Sequence, residues 1–490
     1  MSQEQDIQTL IRICNQQEKQ IESQEKSIRL LEEQLAYMKR MMFGKKSERF
    51  VDPNQLSLGL GIEETTPEAQ PEPLPKETVQ KKNKKRPVRQ PIPKDLPRVI
   101  EIIDPENLLE GCKKIGEEVS ETLEYTPGRL WVRKIVRPKY ALPNEAGVVI
   151  ADMPSLPIPK GNAGASLLAH IAVAKFADHI PFYRLQGILK RSKVTIAEST
   201  INSWVTATFK LISPLYDCMV KQTLESGYVQ GDETPIPVLT DKKPGSTHQG
   251  YHWVYHSPER KAVFFDYNES RGRAAPENIL KDFKGTLQTD GYVGYLDMKT
   301  NHKIELIACM AHARRYFEKA FDNDPDRAKY ALSKIQELYA IERECEKMNN
   351  QQRMLMRSER SVPILQEMKK WLWHQDNLHL LPKSYIGKAF TYARNFWEKL
   401  SKYTQNGKYR IDNNPVENTI RPVALGRKNY LFAGSHQGAK RAAVIYSFMG
   451  TCKLNNIDPY EWMTDVLNRL PDHKANKLHE LLPGNWNPRA

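Results

Sequence analysis

The chain has 490 residues, of which 40% are hydrophobic and 27% charged, and its 73 Lys+Arg against 59 Asp+Glu give a formal net charge of +14. That length points to about three domains, and the positive excess suits a polyanionic partner such as nucleic acid as well as it suits a generic basic protein. No apolar run approaches the ~20 residues of a membrane span, and the six cysteines (14, 112, 218, 309, 345, 452) are scattered without a CxxC pair, against a disulfide framework or a simple zinc motif.

The N-terminus is polar and acidic, unlike a secretory signal, so a cytoplasmic location is expected. Residues 5–42 carry heptads: Ile7, Cys14, Ile21, Ile28, Leu35 and Met42 at one seam position, Leu10, Gln17, Gln24, Leu31 and Met38 at the other. This predicts a coiled coil within residues 1–50 that pairs two or more copies; a helix folding back on its own chain is the alternative. Residues 51–98 read as a flexible basic linker, with prolines at 71, 73, 75, 87, 91, 93 and 97. Its cations Lys84, Lys85, Arg86 and Arg89 are candidates to track phosphates or enter a minor groove, or are simply solvated.

Residues 99–153 look like a small β-rich module with strands at 99–103, 121–125 and 130–136. Residues 160–215 read as helices at 165–176, 183–192 and 197–209, spaced like a helix-turn-helix. DNA contact is one reading of them; ordinary packing against the following domain is the simpler one. Residues 226–450 supply strands at 228–239, 250–256, 262–268, 286–289 and 304–309, with a helix at 275–283. Pro235 and Pro237 are expected to end the first strand early. Three strands, a helix, a strand, then a strand and a helix is close to the order of an α/β ribonuclease-H-like core. A helical insertion at about 316–405 follows, containing Trp371, Trp373 and Trp397, of which Trp371 and Trp373 read as core residues or as platforms for an unpaired base. Residues 451–490 form a helical tail.

Three carboxylate-bearing strings stand out: Val229-Gln-Gly-Asp232-Glu-Thr-Pro-Ile-Pro-Val238, Gln288-Thr-Asp290-Gly-Tyr, and Asp412-Asn-Asn-Pro-Val-Glu417-Asn-Thr-Ile-Arg421. Asp232 lies in an apolar strand, Asp290 ends another, and Glu417 falls in the first turn of a helix with Asn414 as its expected cap and Pro415 at its start. Acids on separate elements are what two hard divalent cations need beside a phosphate. Glu233, Asp266, Asp297 and Asp412 compete with them, and spacing does not decide; alternation along the strand turns Glu233 away from Asp232.

These strings, with Ala311-His-Ala-Arg-Arg315, Ala177-Asp-His-Ile-Pro-Phe-Tyr-Arg184 and above all Ile411-Asp-Asn-Asn-Pro-Val-Glu-Asn-Thr-Ile-Arg-Pro-Val-Ala-Leu-Gly-Arg-Lys-Asn-Tyr-Leu-Phe-Ala-Gly-Ser435, resemble the transposases of the insertion-sequence sixty-six family over nearly the whole chain. The resemblance implies a DDE-type transposase of a bacterial mobile element, with a ribonuclease-H-like core and a helical insertion before the Glu. It also implies Asp232, Asp290 and Glu417 as catalytic ligands of two Mg²⁺ (or Mn²⁺) ions. His312, Arg314, Arg315, Arg421, Arg427 and Lys428 become candidate DNA contacts, Arg421 equally a clamp on Glu417. The expected partners are double-stranded DNA with terminal inverted repeats, target DNA, a second copy of the chain and accessory proteins of the same element. In one respect the chain departs from the family: the region that usually carries a zinc module keeps only Cys112, and a structural zinc site needs four ligands, so no zinc is expected. Two other readings fit the same residues: a catalytically idle DNA-binding or assembly protein on this fold, and a ribonuclease-H-like nuclease without strand transfer.

Overall fold

The computed structural model describes residues 154–488 apart from 160, 241–244 and 297–303, together with residues 17, 24, 128, 130–133, 139–141 and 148–150. The elements below lie in the unit that holds residues 135–490; of the other, residues 46–134, only 128 and 130–133 are described. The heptads expected at 5–42 lie outside the described residues except Gln17 and Gln24, both helical and exposed. Lys84, Lys85, Arg86, Arg89 and Cys112 lie outside them too.

The strand expected at 130–136 is not formed where it is described. Residues 130–133 are irregular, with Trp131 73% and Val132 90% exposed. A strand without a partner leaves its backbone donors and acceptors unpaired. Strands β1 (Lys139–Ala141) and β2 (Val148–Ile150) instead pair antiparallel, Tyr140 opposite Val149.

Helices α1 (Ala165–Phe176), α2 (Phe182–Arg191) and α3 (Glu198–Leu224) follow. The third runs fifteen residues beyond its expected end at Phe209, straight through Pro214. Ile212, Leu215 and Met219 continue the apolar spacing and are at most 2% exposed. Burying side chains of this size gains ~1.5–3 kcal/mol each, which outweighs the ~3 kcal/mol of an internal proline. Ordinary packing therefore accounts for α1 and the second half of α3, which share a core with the sheet.

That sheet has five strands: β3 (Tyr228–Leu239), β4 (Thr247–Ser257), β5 (Ala262–Asn268), β6 (Gly285–Thr289) and β7 (Ile304–Ala308), in the order β5-β4-β3-β6-β7. The first three form an antiparallel meander, and β6 and β7 run parallel to β3. Pro235 and Pro237 do not end β3: pairing with β4 continues to Leu239. The next N–H on their side, that of Leu239, points away from β4 and donates to Ala433 O. The missing proline donors thus fall on the open side of the strand, where no ladder needs them. At the far edge, helix hydroxyls cover β5: Phe265 N–H donates to Ser447 Oγ (2.8 Å), Val263 N–H to Thr451 Oγ1 (3.1 Å), and Phe265 O accepts from Tyr216 Oη (2.8 Å). An edge strand so covered cannot recruit another chain.

After the short helices α4 (Ala274–Ile279) and α5 (Val293–Leu296), five helices lie between β7 and the Glu417 segment: α6 (Met310–Ala320), α7 (Pro325–Glu344), α8 (Asn350–Met356), α9 (Val362–Leu372) and α10 (Tyr385–Ser401). They enclose a second core of Ile335, Leu338, Leu365, Leu372, Phe390 and Trp397. Trp371 is wedged between Tyr330 (4.6 Å) and Phe390 (4.7 Å), so it and Trp397 are packing residues; Trp373 is half-exposed against Trp397. Helices α11 (Asn414–Tyr430), α12 (His436–Leu454) and α13 (Pro459–Arg469) complete the fold. No described helix is long and apolar enough to cross a membrane.

Candidate active site

Asp232 sits in the middle of β3 opposite Val254 of β4, and Asp290 immediately follows β6. The register Gln230↔Gln288 between β3 and β6 brings the two acids to the same level, each two residues beyond a glutamine. Gly291, at φ 92°, turns the chain after Asp290, and a Cβ there would meet Phe396 at 2.7 Å. Asp290 Oδ1 accepts from Tyr292 N–H (2.8 Å) and its carbonyl from Tyr392 Oη of α10 (2.8 Å).

A buried polar lattice ties these strands to the chain that carries Glu417. Gln288 Oε1 accepts from Tyr228 Oη (2.5 Å) and Gln230 Nε2 (2.9 Å), and Gln288 Nε2 donates to Arg410 O (2.9 Å). Gln230 Nε2 also donates to Asp412 O (2.8 Å), and Asn413 Nδ2 to Gly231 O (2.9 Å). The helix cap is Asn413, not Asn414, and it makes no side-chain cap: its Nδ2 donates to Gly231 O and its Oδ1 is buried without a hydrogen-bond partner. Replacing Gln288 with Leu leaves the Tyr228 hydroxyl proton without its acceptor and the Arg410 carbonyl without its donor, a cost of about 1–3 kcal/mol. A lowered denaturant midpoint together with reduced activity is the expected result.

Glu417, in the first turn of α11, is held by Arg315 rather than Arg421: Arg315 Nη2 donates to Oε2 at 2.5 Å. Arg315 Nη1 lies 3.2 Å from His312 Nε2, so that nitrogen is the acceptor and the proton sits on Nδ1. Nδ1 and Glu417 Oε1 face each other at 3.9 Å, both buried without a hydrogen-bond partner. Burial and then the Arg315 charge push the His312 imidazole below its usual range. Burial first, then the charges of Glu233, Asp290 and Glu417, push the Asp232 carboxyl well above the usual carboxylate range. The charges at the end of β6 and on α11 therefore bear on the Asp232 carboxyl of β3.

Two of the competing acids, Glu233 and Asp412, are engaged by other side chains. Glu233 lies on the other face of β3, bound to Arg271 (2.5 Å), whose guanidinium stacks over Tyr292 at 4.2 Å. Asp412 spends its oxygens on Tyr339 Oη (2.7 Å) and on Asn414 N–H (3.1 Å) and Nδ2 (2.9 Å). Asp266 is held up at about 6 by burial, and Asp297 is outside the described residues. Among the expected DNA contacts, Arg314 pairs with Glu318 (2.8 Å), Arg427 donates to Pro235 O, and Arg421 and Lys428 are exposed. Gly434-Ser-His-Gln-Gly438 is a cap, with Ser435 Oγ accepting from Gly438 N–H.

Sequence reading missed Gln230, Gln288 and Asn413. The legible sign was the repeated Gln-x-Asp at 230–232 and 288–290, which puts an amide and an acid on one face of each strand.

Known proteins share this sequence over its length. A family model described as "Transposase IS66 family" matches residues 160–441, "Transposase C of IS166 homeodomain" matches residues 30–100, and "IS66 C-terminal element" matches residues 447–483. The uncharacterized protein y4jD of Sinorhizobium fredii is 34% identical over 484 residues, 93% of this chain and 94% of that protein. A second protein of that organism, y4hP, is 31% identical over 415 residues, 79% of this chain and 74% of its own length. The chain belongs to the IS66 family of transposases.

Proposed function

We propose that the chain binds the ends of its own mobile element and cuts and joins DNA strands, with Asp232, Asp290 and Glu417 as the catalytic acids. The observation that carries this reading is geometric: the Gln230↔Gln288 register sets Asp232 level with Asp290, and the Gln230–Asp412 and Asn413–Gly231 hydrogen bonds hold the start of the Glu417 helix against β3, in a chain of net charge +14. The order of three antiparallel strands, a helix and two parallel strands supports a ribonuclease-H-like core.

Among the described residues no three His, Cys, Asp or Glu side chains are gathered closely enough to hold an ion as they stand. The donor set nevertheless fits a hard divalent cation: every donor is a carboxylate oxygen, Glu417 Oε1 is buried without a hydrogen bond, and the mutual repulsion at Asp232 is what a cation relieves. When bound, two Mg²⁺ or Mn²⁺ ions would sharpen the attacking oxygen and steady the leaving one. The protein's own part is alignment. Arg315 pins one oxygen of Glu417 and leaves the other facing the site. The Tyr292 amide orients Asp290, and the glutamine lattice sets β3 against β6. Exposed Arg421 and Lys428 are placed to meet phosphates. A water or 3′-hydroxyl oxygen forms the new bond to phosphorus as the scissile P–O bond breaks, with no covalent protein–DNA intermediate. We take the DNA to be double-stranded, the working form a dimer or larger, and the location cytoplasmic.

The test incubates the full chain with a DNA fragment bearing the inverted repeats that flank its own coding sequence. Cleavage and joining are expected in Mg²⁺ or Mn²⁺ and should stop when EDTA removes the metal. Cutting without joining would make it a nuclease, binding with neither an assembly protein, and undiminished cutting in EDTA would remove the metal from the scheme.

A further inference from the structure

From residue 418 to 457 the chain holds no acidic residue but six cations: Arg421, Arg427, Lys428, Lys440, Arg441 and Lys453. Within that stretch three large apolar side chains stand in solvent, Leu425 at 52%, Leu431 at 65% and Phe432 at 40% exposure. Leu425 belongs to a ridge of α11, Asn414, Asn418, Arg421, Leu425 and Lys428, whose members are all exposed and recur every three or four residues beside Glu417. Leu431 and Phe432 form the tip where that helix ends.

The tip is both strained and anchored. Leu431 has φ 57° and ψ −46°, and Phe432 N–H donates to Tyr430 O at 2.6 Å, which closes a three-residue turn of the rare, strained hand. Glycine or asparagine is the ordinary occupant of left-handed backbone, so leucine there costs stability. Leu431 N–H nevertheless reaches Arg427 O (3.0 Å), and Ala433 is stitched to β3, donating to Pro237 O (2.8 Å) and accepting from Leu239 N–H (2.9 Å). The strain is thus held in place by the strand that carries Asp232, and its result is an apolar pair turned out to water among cations.

We propose that Leu431 and Phe432, backed by Leu425, form a wedge that enters the base stack of duplex DNA lying at Glu417 and opens one step. The inference rests on the proposed function and adds the device by which the duplex is opened. DNA is the occupant because the stretch 418–457 carries six cations and no acid of its own, which complements a phosphate backbone, and Leu and Phe are side chains that insert between base steps. Leu431 closes the far end of α11 from Glu417, roughly 21 Å away at ~1.5 Å per residue, so the opened step lies several base pairs from the carboxylates, and the kink it makes lets the duplex bend between the two.

The test compares wild type with the double variant Leu431→Asn, Phe432→Ser; asparagine tolerates the left-handed backbone. Each full-length protein is bound, in Ca²⁺, to the flanking-repeat duplex carrying 2-aminopurine at successive steps. Wild type should brighten the probe at one step. The variant should still bind, leave the probe dark and, in Mg²⁺, cut at least about ten-fold more slowly. A mismatch placed at that step should restore its cutting. A variant that brightens the probe as wild type does would overturn the wedge, and so would slow cutting that no mismatch rescues. Loss of a wild-type oligomer with the probe signal unchanged would make the tip an interface between copies, again overturning it. The fluorescence reads the wedge whether or not wild type cuts, so failure of the wedge and failure of the transposase reading are distinguishable.

Discussion

Asp232→Asn is expected to lower strand cleavage in Mg²⁺ by more than about a hundred-fold while leaving DNA binding largely intact. Groups that merely support a metal ligand cost 10–100-fold when removed, and a ligand itself should exceed that range. Asparagine keeps the shape and one oxygen but loses the charge that would hold a cation. The same substitution should raise the thermal midpoint of the metal-free protein. The folded state pushes this carboxyl upward, through burial and then through the neighbouring acids, so the ionised form is disfavoured in the fold at neutral pH and a neutral isostere relieves it. Gain of stability with loss of chemistry is the pattern of a site strained for function. Two measurements check the pair: cleavage of the end fragment, and thermal unfolding in EDTA. Wild-type cutting by the variant would remove Asp232 from the catalytic set. A variant less stable than wild type would show Asp232 to be a structural residue.

Much of this site was legible in the residues. Apolar runs with β-branched and aromatic side chains placed β3, β5 and β7 closely. Glu417 emerged from a resemblance and not from spacing, since 59 acids offer many sets. The prolines of β3 misled because a strand's tolerance for them depends on which neighbour it lacks, and the lone stitch from Ala433, nearly two hundred residues away, is invisible locally. Helix α3 runs past its expected end at Phe209 and through Pro214 because the apolar face that carries it matters only once the sheet exists to bury it. Arg315 was read as a hand for DNA, yet it grips Glu417. Whether a cation meets a phosphate or an acid is decided by tertiary neighbours, here α6 against α11.

Arg357→Met is expected to destabilise the protein by about 3–5 kcal/mol, the range for breaking a buried ion pair from one side. The Arg357 side chain is fully buried and every one of its five N–H donors is used. Nε and Nη2 form a fork on Glu342 (2.7 and 2.6 Å). Nη1 donates to Tyr403 O and Asn406 O, both at 2.9 Å, and Nη2 to Tyr409 O at 2.9 Å. Methionine fills much of the volume but abandons one carboxylate and three carbonyls. Lysine keeps the charge yet presents a single point with three donors, so Arg357→Lys should rescue little. The loss would reach the site because residues 403–409 lead directly into Arg410, Asp412 and Asn413, the segment that the glutamine lattice holds against β3 and β6 ahead of Glu417. A denaturant titration measures the stability, and proteolysis under native conditions should find new cleavage within 402–410. Because this residue acts through position, DNA binding should fall far less than cleavage. An Arg357→Met protein as stable as wild type, with residues 402–410 still protected, would show that the helical segment orders this approach without it.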